Sequence, residues 1–73
     1  MLQDDLVRMS TQIAQFFEPY PPDEAVAGVQ DHLLKFWDPS MRTALCAIRH
    51  ANTPALHPIV GKAVDRLLAG RPV

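Results

Sequence analysis

His32–Arg42, HLLKFWDPSMR, holds the junction that decides how this chain folds. Asp38 stands directly before Pro39, an N-cap residue followed by proline at the first helical position, where the missing N–H removes a donor that has no intrahelical partner anyway. A helix therefore begins at Pro39. Leu33, Phe36 and Trp37 close an apolar series just upstream, so the preceding helix stops almost where this one starts.

Working outward from that junction, Ala25, Val26, Val29, Leu33, Phe36 and Trp37 share one face of the upstream helix. Its expected start is Asp23 as N-cap, with Glu24 in the first turn facing the positive helix end. Before it, Pro19, Pro21 and Pro22 separate a first segment in which Leu2, Leu6, Met9, Ile13, Phe16 and Phe17 recur at helical intervals and form an apolar stripe about 100° wide. Downstream, Met41, Ala44, Leu45 and Ile48 point inward from the third helix, and Asn52, Thr53 and Pro54 break it. His57 and Pro58 open a fourth helix carrying Val60, Ala63, Val64, Leu67 and Leu68, which Gly70 and Pro72 stop. The seven prolines thus punctuate helices rather than interrupt them. No segment alternates with period two, so the expected fold is all-α: a single domain over 1–73 of about four short helices, near 2–17, 24–37, 39–51 and 58–69.

Seventy-three residues, 48% hydrophobic and 21% charged, suit one small globular domain and exclude disordered or fibrous classes. A chain this short has a thin core, and such chains usually compensate with disulfides, a structural metal or association. The single cysteine, Cys46, rules out an internal disulfide, and Cys46, His32, His50 and His57 match no standard zinc spacing. Association is what remains. The expected core centres on Trp37, with Ile13, Phe16, Val29, Leu33, Phe36, Leu45 and Ile48 around it.

The net charge of −1 supplies no electrostatic reason to expect nucleic acid or anionic lipid. Its distribution is uneven: residues 1–24 hold five acids and one base, and residues 25–73 hold six bases and three acids. The longest apolar run, Ala25–Val29, is far too short to span a bilayer, and Asp4 and Asp5 stand where a signal peptide would be positively charged, so a cytoplasmic protein without membrane association is expected.

Chemistry of the chain's own has little to stand on. Cys46 and His50 lie one helical turn apart, a spacing compatible with an activated thiolate or two metal ligands, but a lone half-buried cysteine is more often a small hydrophobe and no third orienting group is visible. There is no phosphate-binding glycine pattern and no HExxH. The alternatives to a partner-binding role are a helix-turn-helix nucleic-acid binder, with Arg42, Thr43, Arg49 and His50 outward on the third helix, and a metal or redox helper using Cys46 and His50. For a protein partner, the candidate surface is the mixed stripe Arg42, Cys46, Arg49 and His50, with Leu34 and Ala27 as a smaller apolar patch on the outer face of the second helix.

The strings LVRMSTQIAQFF (6–17), EAVAGV (24–29), HLLKFWDPSMR (32–42) and LHPIV (56–60) resemble, in this order and spacing, the small delta subunit of cytoplasmic NAD-dependent molybdenum formate dehydrogenases. FWDP-x-MR is the most specific element, while Leu34 and Ser40 replace basic residues expected in the family and Ala51–Ala55 lacks its glycines. The resemblance implies a non-catalytic accessory subunit that binds no cofactor. It implies partners, chiefly the alpha subunit with its molybdopterin guanine dinucleotide and iron–sulfur clusters, and a beta subunit carrying FMN and the NAD site. Support of assembly or stability of that complex is the implied role.

Overall fold

A computed structural model describes residues 3–51 and 56–70 of the chain. They form four helices: α1 (Gln3–Phe17), α2 (Pro22–Phe36), α3 (Pro39–Ala51) and α4 (Pro58–Gly70). The fold is all-α, and no helix among the described residues is long and apolar enough to cross a membrane. Leu2, the break at Asn52–Ala55 and the terminal Pro72 lie outside the described residues.

Proline sets three of the four starts. Pro39 and Pro58 are first residues, and α2 begins at Pro22 with Pro21 as N-cap, in extended conformation and with no side-chain cap. Asp23, expected to be that cap, lies one residue inside the helix, because Pro22 at the first position already tolerates the missing donor and moves the start upstream. At α3 the Asp38 carboxylate does cap: Oδ1 accepts the Met41 N–H at 2.9 Å and the Ser40 hydroxyl at 2.7 Å. These two bonds, the backbone one first, hold the Asp38 carboxyl below the usual carboxylate range.

The helices pack in an order that differs from their order in the chain. α2 packs most extensively on α4 and next on α1, whereas α3 packs on α1 and α4. The consecutive pair α2 and α3 occupies opposite corners, with α1 and α4 between. Small side chains fit this arrangement: α2 buries Ala25, Val26 and Val29, and α4 buries Val60, Ala63 and Val64, so two backbones can approach closely. The radius of gyration, 10.9 Å, matches the ~11 Å of a compact chain of this length, so the chain closes its own core.

That core contains Leu33, Val29, Leu45, Ile48 and Trp37, all nearly inaccessible, together with Leu6, Leu56 and the inner face of α4. Ile13 packs against it half-buried. Trp37 enters by leaving the helix. It is the C-cap of α2, with φ −95° and ψ 138°, and this extended geometry turns the indole inward while the Trp37 backbone N–H still donates to the Leu33 carbonyl at 3.2 Å.

Two expected core residues are not in it. Phe16 is 68% exposed and Phe36 73% exposed. On α1 the buried positions are Leu6, Ser10 and Ala14, so the inward stripe is rotated toward the small residues and Phe16 falls about 100° from the half-buried Phe17. Ser10 is tolerated at full burial because its hydroxyl donates to the Val7 carbonyl at 2.9 Å. Phe36 shares the angular face of Val29 but is the last residue of α2, where it lies against the His32 ring, centroids 4.7 Å apart.

These placements separate the aromatics in energy. Trp37→Ala should cost about 3–5 kcal/mol in urea unfolding, as for other large core side chains, whereas Phe36→Ala should change stability by only about 0.5 kcal/mol. Equal unfolding midpoints for Trp37→Ala and the parent would contradict the placement of Trp37.

Candidate partner-binding surface

The two arginines of the α3 stripe are bonded to the molecule's own backbone and to α4. Arg42 reaches back across the α2–α3 junction, where Nη1 donates to the carbonyls of Leu33 (3.4 Å) and Leu34 (3.5 Å) and, most closely, of Trp37. The last carbonyls of a helix have no intrahelical donor, and a cation there also complements the helix dipole. Arg42 is therefore the C-terminal cap of α2, supplied from α3, a task in the fold that its outward position on a helical wheel does not indicate.

Arg49 is likewise engaged. Its Nε and Nη2 grip the two oxygens of Asp65 on α4 at 3.0 and 2.7 Å. The hydrogen bonding lowers the Asp65 carboxyl and raises the Arg49 guanidinium from their ordinary values. Gly61 makes room for this fork, since a Cβ there would stand 2.7 Å from Arg49 Nη1. A second tie joins α1 to α4: Nε2 of His57 lies 2.7 Å from Oε2 of Glu18 while its Nδ1 accepts the Ile59 N–H at 3.1 Å, so the imidazole caps α4 with one nitrogen and donates to Glu18 with the other.

Cys46 and His50 face a different setting. With Ala47, Ala51 and Leu68 they line an open, largely apolar depression of about 450 Å³ between α3 and α4. Burial pushes the Cys46 thiol up, with Arg42 only partly opposing it, which lowers the thiolate fraction that nucleophilic or metal chemistry needs. Among the described residues no group of three or more His, Cys, Asp or Glu side chains is placed to hold a metal ion. Leu34 is 45% exposed, and Ala27 is exposed beside it on α2.

The surface that helical-wheel reasoning misses lies on the α1–α2 side. Ile13, Phe16, Phe17 and His32 frame a notch of about 320 Å³. Phe16 and Phe17 meet edge to face at 5.1 Å, Tyr20 continues the ring series at 5.6 Å from Phe17, and Phe36 extends it from His32. Gly28 allows the helices to hold this geometry, because a Cβ there would stand 2.7 Å from Cδ1 of Phe17. One signal could have found the patch. Adjacent helical residues point about 100° apart, so of Phe16–Phe17 only one ring can sit at the centre of a buried stripe.

If Arg42 caps α2, its removal should be felt as lost stability. Arg42→Ala leaves helix-end carbonyls without their charged donor and should cost about 1–3 kcal/mol by urea unfolding, the range for hydrogen bonds to a charged group. A variant as stable as the parent would show that the cap contributes nothing.

The family model described as the NADH-dependent formate dehydrogenase delta subunit FdsD matches residues 5–64. No curated protein and no solved structure matches the chain. The match takes in α1 from Asp5 onward, α2, α3 and the first half of α4, including the α2–α3 junction and both exposed phenylalanines. The chain belongs to the delta-subunit family of NADH-dependent formate dehydrogenases.

Proposed function

We propose that this chain is a non-catalytic accessory subunit that supports assembly or stability of the formate dehydrogenase complex by binding its large, molybdenum-bearing alpha subunit in the cytoplasm. In this reading the molybdopterin guanine dinucleotide, the iron–sulfur clusters and FMN reside in other subunits, and this chain binds none of them. The family membership supplies the complex. The observation that carries the binding role is the exposure of Phe16 and Phe36 on a 73-residue chain that otherwise closes its own core. Large apolar side chains clustered on the surface of a small domain are a cost in water that a partner removes.

The side chains that could support other chemistry have local occupations. Arg42 and Arg49 are engaged by helix-end carbonyls and by Asp65, and the Cys46 thiol is pushed toward its neutral form. The same engagements weaken a helix-turn-helix reading, since the would-be recognition helix has both arginines bonded within the chain and makes few contacts with the helix before it.

Co-expression of the affinity-tagged chain with the large subunits tests the proposal. The tag should recover the molybdenum-bearing subunit, and omission of the chain should lower the yield of assembled complex without changing activity per molybdenum in what does assemble. Recovery of no large subunit would contradict the proposal.

A further inference from the structure

We infer that His57 is a proton-operated latch for α4: as the neutral imidazole it caps the helix and ties it to the end of α1, and on taking up a proton it surrenders the cap and loosens the first turn. The device lies within this chain and is independent of any partner.

The ring is held at both nitrogens. Nδ1 accepts the Ile59 N–H at 3.1 Å, and Nε2 lies 2.7 Å from Oε2 of Glu18, the residue after the end of α1. An acceptor at Nδ1 carries no proton, and a nitrogen facing a carboxylate must carry one, so the two contacts together fix one tautomer of the neutral ring. The His57 side chain is 19% exposed, so protons from solvent reach it.

Protonation breaks this arrangement at one contact. A proton taken from solvent at Nδ1 turns that atom into a donor, which then faces the Ile59 N–H, another donor. The positive ring also stands at the N-terminus of α4, where the helix dipole disfavours a cation. The contact with Glu18 persists, because an imidazolium still donates from Nε2 and attracts the carboxylate more strongly. The ring therefore stays on Glu18 while it lets go of α4. The turn that it releases lies between buried Leu56 and buried Val60, on the helix that packs most extensively on α2.

The surroundings of α4 make His57 the point at which pH acts. The other charged ties of the helix, among the described residues, are Asp65 to Arg49 on α3 and Arg66 to Asp23 on α2, and Lys62 is exposed on its own surface. Carboxylates, guanidinium and ammonium groups ordinarily keep their charge between about pH 5 and 8, the range in which imidazole changes its own. Hydrogen bonding to Arg49 moves Asp65 further below that range. From α3, Cys46 and His50 face α4 across the depression with Leu68. Burial pushes the Cys46 thiol up, and His50 lies beside Leu68, toward the far end of α4 from the cap.

Nuclear magnetic resonance of the nitrogen-15-labelled full chain across the histidine range, about pH 8 to 5, tests the latch. It follows the ring nitrogens of His57, His50 and His32 together with the hydrogen-exchange protection of the Ile59 amide. At the upper end His57 should carry its proton on Nε2 alone. As that ring becomes doubly protonated, the protection factor of Ile59 should fall by about fivefold, the effect of losing a typical N-cap bond. His57→Asn keeps a side-chain acceptor at the N-cap and cannot take up the proton, so its Ile59 protection should stay constant over the same range. Unchanged Ile59 protection while the His57 ring protonates would overturn the latch, as would a ring that stays neutral throughout or carries its neutral proton on Nδ1. Loss of Ile59 protection in step with His50, or equally in a folded His57→Asn chain, would place the effective proton elsewhere and overturn it too. Should His57→Asn fail to fold, the titration of the parent chain decides by the same criteria.

Discussion

This chain ends α2 abruptly and begins α3 after only two intervening residues, and both helix ends must be satisfied within that space. The Arg42 guanidinium and the Asp38 carboxylate do this from opposite sides of one turn. Asp38 accepts the Met41 N–H at the start of α3, while Arg42, one helical turn further on, donates back to the carbonyls at the end of α2. Trp37, the C-cap of α2, lies between the two helix ends in extended conformation, and its burial commits the turn to a single direction. Because the turn carries α3 away from α2, the two helices take opposite corners and leave α4 to fill the space against α2. The other ties, Arg49 to Asp65 and His57 to Glu18, are made between helices that this junction has already positioned.

Much of this fold was legible in the residues, and the exceptions have distinct physical causes. Proline positions marked the helix starts because proline acts on its own backbone, so no knowledge of the partner is needed. Asp38 was readable for the same reason, since its bonds span three residues. Asp23 was misassigned where two local rules competed and Pro22 prevailed. The role of Arg42 was hidden because its acceptors are backbone carbonyls five to nine residues back, which leave no mark on side-chain pattern. Arg49 and Asp65, sixteen residues apart and on different helices, are invisible to any single-helix wheel.

Phe16 and Phe36 show a different failure. An apolar stripe was centred on the largest side chains, but α1 turns Ser10 and Ala14 inward, where small residues permit close helix approach. The large rings were thereby left outside. The residues that hold the fold and those that offer a surface are thus interleaved along one string, with exposed Phe36 beside buried Trp37. An interaction surface built on a core junction is held rigidly, which limits the ordering entropy lost when a partner binds.

The claim that Trp37 and Arg42 act as one unit at the α2–α3 junction is open to direct measurement by a double-mutant cycle. Urea unfolding of the parent, Trp37→Leu, Arg42→Ala and the double variant yields the coupling free energy. If the buried indole holds the turn that presents carbonyls to Arg42, the coupling should be about 1 kcal/mol or more, within the range for residues in one network. Additivity to within about 0.3–0.5 kcal/mol, the behaviour of distant independent sites, would contradict the account.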